Sequence, residues 1–265
     1  MGVPVAIQIP LDDSLHHLQA SWIRVIFELF KYVTTGGGII GRPFQNSSSF
    51  FPSRLIDPTT HTIPAASARD LDASLPENRP DIEFMHTANN CADVDPQEPI
   101  GVFSFLITLI RPRSEGTVRL ATANPRVPPA VDLNFLADPA DYVPLRKGIR
   151  LALRVFDDVR AQGYPVLGDL QVPPGGADAD DATMDAFIRT HLRTNFHYTS
   201  TCRMGASADG SRPSVVDAAL RVHGVRGLRV CDASVFPEII GSHTMAPTVA
   251  VAEKCADMIK ASCYC

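Results

Sequence analysis

Apolar and polar positions recur with two different periods along the chain, which predicts strands and helices in turn. The segment VPVAIQI near the start is almost wholly apolar and predicts a buried strand. From Leu15 to Val33 apolar residues recur every three or four positions, which predicts an amphipathic helix. The glycine cluster that follows, Gly36 to Gly38 with Gly41, has a helix before it and a loop after it. A dinucleotide-binding loop needs the opposite order, so the cluster predicts a helix stop and a turn.

The middle of the chain is rich in strand patterns and the rest is rich in helix patterns. PDIEFMH and GVFSFLITLI predict two adjacent central strands, and GTVRLA predicts a third. Helices are predicted from Asp141 to about Gln162, after an N-cap at Asp180 or Asp181, and from Ala246 to Ala261. This distribution predicts an α+β fold, a mostly antiparallel central sheet with helices over one face, in a single domain spanning residues 1–265.

Composition narrows the class of protein. With 45% hydrophobic and 20% charged residues, the chain is typical of a soluble globular protein. A formal net charge of -5 and the lack of Lys/Arg runs argue against a nucleic-acid-binding surface. The longest apolar run, residues 102–110, is too short to span a membrane. No secretory signal pattern precedes the first strand, so the six cysteines predict reduced thiols in a cytoplasmic protein.

Two histidines carry the candidate chemistry. His197, in FHYTSTCRMG, and His243, in GSHTMAP, lie on either side of the apolar strand LRVCDAS. Two imidazoles near one apolar floor can move a proton to or from an alcohol. On pattern alone, however, such histidines are more often ordinary polar residues with satisfied hydrogen bonds than catalysts. A metal site formed with His191 lacks ligand spacing, so no metal is predicted.

Several longer segments then occur together in a recognisable order: PDIEF, LITLIRPRSEGTVRL, NPRVPPAVDLNFLADPADYVPLRKGIRLALR, TCRMG, VVDAALRVHGVRGLRVCDASVFP and AVAEKCADMI. In these segments the chain resembles the C-terminal, substrate-binding half of the glucose–methanol–choline (GMC) family of flavin oxidoreductases, over nearly its whole length. The family's Rossmann-like FAD-binding half, with its strand–GxGxxG–helix unit, has no counterpart in this sequence.

The resemblance implies roles for particular residues. It implies that His197 is the general base on a substrate hydroxyl and that His243 hydrogen-bonds to it, although the two roles can be exchanged. It implies that the flavin's ribityl and phosphate region contacts Asp232 and Ala233. By the same resemblance Thr244 and Met245 approach the isoalloxazine end of FAD, and Phe196 borders the substrate pocket.

One position departs from the family. Ser200 stands where the family usually has glycine before Thr-Cys. The histidine of RVHGV, His223, corresponds to a scaffold position without chemistry.

Three functions from different classes remain open. The favoured one is the catalytic-histidine subunit of a split FAD-dependent oxidoreductase that oxidises a small alcohol, an aromatic alcohol among the candidates, together with a separate FAD-binding polypeptide. The second is a flavin-independent acid–base enzyme, a cyclase, dehydratase or lyase, acting on a small organic metabolite. The third is a non-catalytic binding domain or a fragment of a longer enzyme. Substrate and electron acceptor do not follow from the sequence.

Overall fold

The computed structural model describes residues 1–41, 45, 47–65, 67–72, 74–209 and 212–263. The chain divides into two compact units. Unit 1 comprises Met1–Pro112 and Asp138–Asn195, and unit 2 comprises Arg113–Ala137 and Phe196–Cys265. The expectation of one domain over residues 1–265 stays a prediction.

Unit 1 is built on a five-stranded sheet, and its antiparallel pairing agrees with the prediction of a mostly antiparallel central sheet. Its strands are β1 (Gly2–Ile9), β2 (Ser48–Phe51), β3 (Ile82–Thr87), β4 (Gly101–Leu109) and β7 (Gly168–Gln171), in the spatial order β2-β3-β4-β1-β7. β1 pairs with β4 along its whole length, from Gly2 opposite Thr108 to Ile9 opposite Gly101. Both strands are central and buried on both faces, which explains why they read as continuous apolar runs.

Two helices cover one face of this sheet. α3 (Tyr142–Ala161) packs on β4, β1 and β3, and α4 (Asp181–His191) packs on α3 and β1. The Phe156 ring stacks on Phe105 of β4 with centroids 5.0 Å apart. Gly148 lets the two layers approach closely, because a Cβ at this position would lie 2.7 Å from the Cγ2 of Ile107. The helices predicted from Asp141 to about Gln162 and after Asp180 or Asp181 are therefore confirmed, and both pack on the sheet.

The helix predicted from Leu15 to Val33 is two helices. α1 (His16–Ala20) ends before Ser21, whose backbone is extended, and α2 (Trp22–Thr35) follows. α2 ends at Gly36, which has a φ of +66° and forms the predicted glycine stop. None of the fourteen residues of α2 is buried, although nine of them are large and apolar.

The prediction that GTVRLA is the third strand of the central sheet is wrong. In the structure β5 (Thr117–Arg119) pairs with β6 (Ala130–Asp132) in a separate two-stranded sheet within unit 2. The reason is that β4, the strand that precedes GTVRLA in the chain, already has β3 on one edge and β1 on the other. No backbone donors or acceptors of β4 are left to pair with a third strand.

Unit 2 contains short segments and one long helix, α5 (Met245–Cys263). Its core is a small cluster formed by Val216, Leu220, Val235, Phe236 and Cys255. The candidate site residues all belong to this unit. Within the described ranges, no helix has the length and apolar character that crossing a membrane requires.

Candidate active site

Three segments of unit 2 carry the predicted site residues: 196–204, 231–236 and 243–251. The first two run side by side, joined by backbone hydrogen bonds. The N–H groups of residues 200, 202 and 204 donate to the carbonyl oxygens of residues 233, 234 and 235, at 3.4, 2.9 and 2.9 Å. The segment that carries His197 is thereby fastened to the segment that carries Asp232.

The second segment is anchored in the core of unit 2. Val235 is fully buried and Phe236 is nearly so, and both belong to the apolar cluster. Asp232 caps the short 3-10 helix that begins at Ala233, since its carboxylate accepts a hydrogen bond from the Ser234 N–H at 2.8 Å. Asp232 is exposed, and the hydrogen bond from Ser234 fixes the orientation of its carboxylate.

The third segment begins α5 directly after the second histidine. The Thr248 N–H and hydroxyl both donate to the Thr244 carbonyl, at 3.1 and 2.7 Å. One turn later the Cys231 thiol donates to the Val251 carbonyl at 3.5 Å. Burial, together with a hydrogen bond to the buried thiol of Cys255, raises the pKa of Cys231 to about 11. The thiol stays neutral at physiological pH and joins the strand to the helix.

The two histidines come together as the sequence predicted. The ring centroids of His197 and His243 lie 5.0 Å apart, and their planes meet at 63°. His197 is half-buried and His243 is exposed. At this separation both rings can contact one small polar group, so the pair has the geometry for acid–base work on a hydroxyl.

Strained backbone lies on both sides of His197. Phe196 has a φ of +60° and Ser200 has a φ of +69°, conformations that L-residues adopt at a cost of about 1–2 kcal/mol each. The Ser200 hydroxyl donates to the Thr199 hydroxyl oxygen at 3.1 Å. Residues 197–199 thus lie between two residues in the left-handed region. One indication of the left-handed backbone at position 200 was present in the sequence, because Ser200 stands where the family usually has glycine.

The remaining predicted residues take different positions. Ala233 is half-buried beside Asp232, and Thr244 is half-buried just before α5. Met245 opens the helix with its side chain 77% exposed. Phe196 is also 77% exposed and meets Tyr198 edge to face, with ring centroids 6.5 Å apart. The cofactor and substrate roles of these residues stay predictions.

An ion-pair network that the sequence did not predict links four charged residues of unit 2. Glu115 lies 3.5 Å from Arg203 of TCRMG and 2.9 Å from Arg212, which also pairs with Glu238 at 2.9 Å. Hydrogen bonds to Glu238 and then to Glu115 raise the pKa of Arg212. These partners are up to 97 residues apart along the chain, and no local pattern links them.

Other histidines have structural partners. His223 is half-buried, with Nε2 3.1 Å from the Ser214 hydroxyl and 3.3 Å from the Gly205 carbonyl oxygen, which fits a scaffold residue. His191 pairs with Asp93 at 2.6 Å in unit 1. Among the residues that the structure describes, no three His, Cys, Asp or Glu side chains are placed to hold a metal ion.

Comparison with known proteins identifies the family. The model of the GMC oxidoreductase family matches residues 112–252, more than half of the chain. The alcohol dehydrogenase [acceptor] of Pseudomonas putida is 33% identical over 196 residues, which are 74% of this chain and 34% of that enzyme. The oxygen-dependent choline dehydrogenase 1 of Chromohalobacter salexigens is 34% identical over 57% of this chain and 26% of its own length.

Solved structures give the same result for the fold. A formate oxidase of Aspergillus oryzae, studied for modification of its FAD, superposes with a TM-score of 0.75 at 28% identity. The match covers 98% of this chain and 46% of the oxidase. A fungal aryl-alcohol oxidase, 22% identical, shares the fold with a TM-score of 0.68.

The chain therefore spans about a quarter to a half of the length of the relatives it matches. Its segments correspond to their C-terminal, substrate-binding region, and the mixed α/β architecture with an antiparallel sheet agrees with that assignment. On these grounds, the chain belongs to the GMC oxidoreductase family, a family of FAD-dependent enzymes.

Proposed function

We propose that this chain is the catalytic-histidine subunit of an FAD-dependent oxidoreductase that oxidises the CH–OH group of a small alcohol, an aromatic alcohol among the candidates. The FAD-binding half is supplied by a separate polypeptide. The observation that carries the proposal is the imidazole pair of His197 and His243, 5.0 Å apart in unit 2.

The relatives support the reaction class. Two of them are by name an alcohol dehydrogenase and a choline dehydrogenase, and both names denote oxidation of an alcohol. The region that this chain shares with the alcohol dehydrogenase covers about three quarters of this chain. We extend the class of reaction to this chain, and leave the particular alcohol open.

The residues present fit FAD. Asp232 offers an exposed carboxylate held by the Ser234 N–H, which suits an acceptor for ribityl hydroxyls. Met245 begins a helix of 19 residues, and the backbone N–H groups of Met245 and Ala246, which precede Pro247 and the Thr248–Thr244 hydrogen bond, suit a polar, partly anionic ring edge. When bound, FAD supplies the acceptor for the hydride of the C–H bond.

The chain's own part in the reaction is movement of a proton. A neutral ring nitrogen of His197, which is half-buried, accepts the proton of the substrate hydroxyl. His243 donates a hydrogen bond to the resulting alkoxide and so stabilises its negative charge. Because the two rings are close, the proton equilibrium belongs to the pair, and the two roles can be exchanged.

The partner and the compartment belong to the same proposal. In the proposed assembly a second polypeptide brings the ADP-binding part of FAD, for which the glycine cluster of this sequence has the wrong order of helix and loop. Free thiols at Cys91, Cys202, Cys231 and Cys255 suit a reducing cytoplasm, where we place the assembly.

The first experiment is an absorbance spectrum together with light-scattering mass, on protein isolated from its own cells through a tag on this chain. A visible flavin band and a mass above the 28.7 kDa of one chain, with a second polypeptide present, support the split enzyme. A colourless protein that neither takes up added FAD nor recruits a flavoprotein would refute it.

A variant series then tests the histidines. We expect His197→Ala to lower turnover of an active alcohol by about 100- to 10,000-fold, the usual contribution of a general base. His223→Ala is the matched control, because that histidine bonds to Ser214 away from the pair. It should leave turnover per folded molecule within a few-fold of the original. Equal losses in both variants would indicate that the pair acts only through the fold.

A further inference from the structure

We propose that α2 pairs with the α2 of a second copy of this chain and forms the core of a two-fold symmetric dimer. This inference concerns unit 1 alone and does not depend on the proposed function. It starts from the exposure of the helix. Nine large apolar side chains of α2 are each 40–75% exposed: Trp22, Ile23, Val25, Ile26, Phe27, Leu29, Phe30, Tyr32 and Val33.

The exposed area is large enough for a stable interface. Large side chains have accessible surfaces of roughly 150–250 Å² each, so nine that are about half exposed present on the order of 900 Å². The largest apolar patch on a typical monomeric protein is about 300–600 Å². A standard interface uses about 800 Å² per partner, so α2 alone offers about that area.

The charges of α2 are already paired within the chain. Arg24 bonds to Asp12, and Lys31 lies 4.0 Å from Glu28. Glu28 also accepts a hydrogen bond from the Ile39 N–H at 2.7 Å, which fixes its carboxylate against the turn after the helix. The remaining surface therefore favours an uncharged, apolar partner over an acidic or basic one.

The spacing of the apolar residues favours a helix as that partner. Trp22, Ile26, Leu29 and Val33 follow one another at intervals of four, three and four, the spacing of a coiled-coil seam. Ile23, Phe27 and Phe30 form a second seam beside the first. A helix with the same pattern is present on every other copy of the chain, at equal concentration.

An antiparallel arrangement suits these side chains best. Around a two-fold axis at the middle of the seam, Trp22 faces Val33 of the other copy and Ile26 faces Leu29. The largest residue then meets the smallest at both ends, which fills space evenly. A parallel pair would set tryptophan against tryptophan and valine against valine. The antiparallel pair also places opposite helix dipoles side by side.

Mass in solution tests the dimer. Light scattering on the full chain at micromolar concentration should give twice 28.7 kDa. Ile26→Glu should weaken dimerisation about 100-fold or more and give the single-chain mass, because it buries unpaired charges in the seam. The control is Leu120→Glu, at an 85% exposed apolar residue of unit 2, which should remain dimeric. Circular dichroism checks that both variants keep the fold.

A mixing experiment tests the antiparallel register. Leu29→Lys alone should also be monomeric. An equal mixture of Ile26→Glu and Leu29→Lys copies should regain the dimer mass, because the two new charges then face each other. A monomeric wild-type chain, or an Ile26→Glu variant that stays dimeric, would overturn the proposal. If the wild-type chain is monomeric and binds a flavoprotein or lipid vesicles, and the Ile26→Glu variant loses that binding, α2 contacts that partner and the dimer proposal is wrong.

Discussion

Unit 1 and unit 2 hold their residues in place by different means. In unit 1 a helix layer packs on a five-stranded sheet, and α3 alone buries Leu145, Ile149, Ala152 and Phe156. In unit 2 five residues form the core cluster, backbone hydrogen bonds join residues 200–204 to residues 233–235, and an ion-pair network links Arg203 to Glu115. Stability in the first unit rests on packed apolar area, and geometry in the second rests on directional bonds.

The difference teaches which property each kind of substitution should change. Removing packed atoms from unit 1 leaves a cavity and lowers the free energy of unfolding. Changing the backbone preferences of the site loop in unit 2 displaces His197 while most of the core stays in place. Substitutions in the two units should therefore separate loss of folding from loss of a working site.

The largest effect is expected in the packed layer. Phe156→Ala should lower the free energy of unfolding by about 3–5 kcal/mol, because the ring is buried and stacked on Phe105. Urea unfolding followed by circular dichroism measures this. Val143→Ala on the same helix is the control, since Val143 is largely exposed and should cost little. A cost below 1 kcal/mol for Phe156→Ala would contradict the packing of this layer.

A smaller effect is expected where the helix and the sheet approach most closely. Gly148→Ala should cost about 1–3 kcal/mol, because the new methyl group would lie 2.7 Å from the Cγ2 of Ile107. In an Ile107→Ala background the same substitution should cost clearly less, since the opposing atom is gone. Additive costs in the double-mutant cycle would show that the close approach is absent.

In unit 2 the expected effect on stability is smaller still. Ser200→Val should cost about 1–2 kcal/mol, because a β-branched residue is poorly tolerated at a φ of +69°. Ser200→Gly should be neutral or stabilising by up to about 1 kcal/mol, since glycine adopts this conformation without strain. Thermal unfolding measures both. A tolerated valine would place Ser200 outside the left-handed region.

The smallest effect is expected in the ion-pair network. Arg212→Ala should change the free energy of unfolding less than any of the substitutions above, because Arg212, Glu115 and Glu238 are all well exposed. The loss should shrink in high salt, which screens the pairs. A salt-independent loss as large as that of Phe156→Ala would contradict this expectation and make the network as important to unit 2 as packing is to unit 1.

Much of the fold followed from local patterns. β1, β3 and β4 are strands, and α3, α4 and α5 are helices, close to their predicted positions. These elements could be predicted because the apolar periodicity of a segment reflects its own backbone geometry. The break at Ser21 was missed, since the apolar spacing continues across it and only the extended backbone interrupts the helix.

The candidate site followed partly from the sequence. The two histidines were predicted together from their motifs, and the structure sets their rings 5.0 Å apart. The ion pairs of Glu115 with Arg203 and Arg212 were not predictable, because a contact between residues about 90 positions apart in the chain leaves no local sequence pattern. The left-handed conformations of Phe196 and Ser200 likewise depend on the segment to which residues 200–204 are bonded.

The sequence by itself determined where helices and strands form, which family the chain resembles and which histidines are candidates for chemistry. Only the tertiary structure decided that GTVRLA pairs with residues 130–132, that α2 leaves its apolar side chains exposed, and how far apart the imidazoles lie. The physical reason is that periodicity records which positions of a segment are apolar. What covers those positions depends on edges and faces supplied by residues far away in the chain.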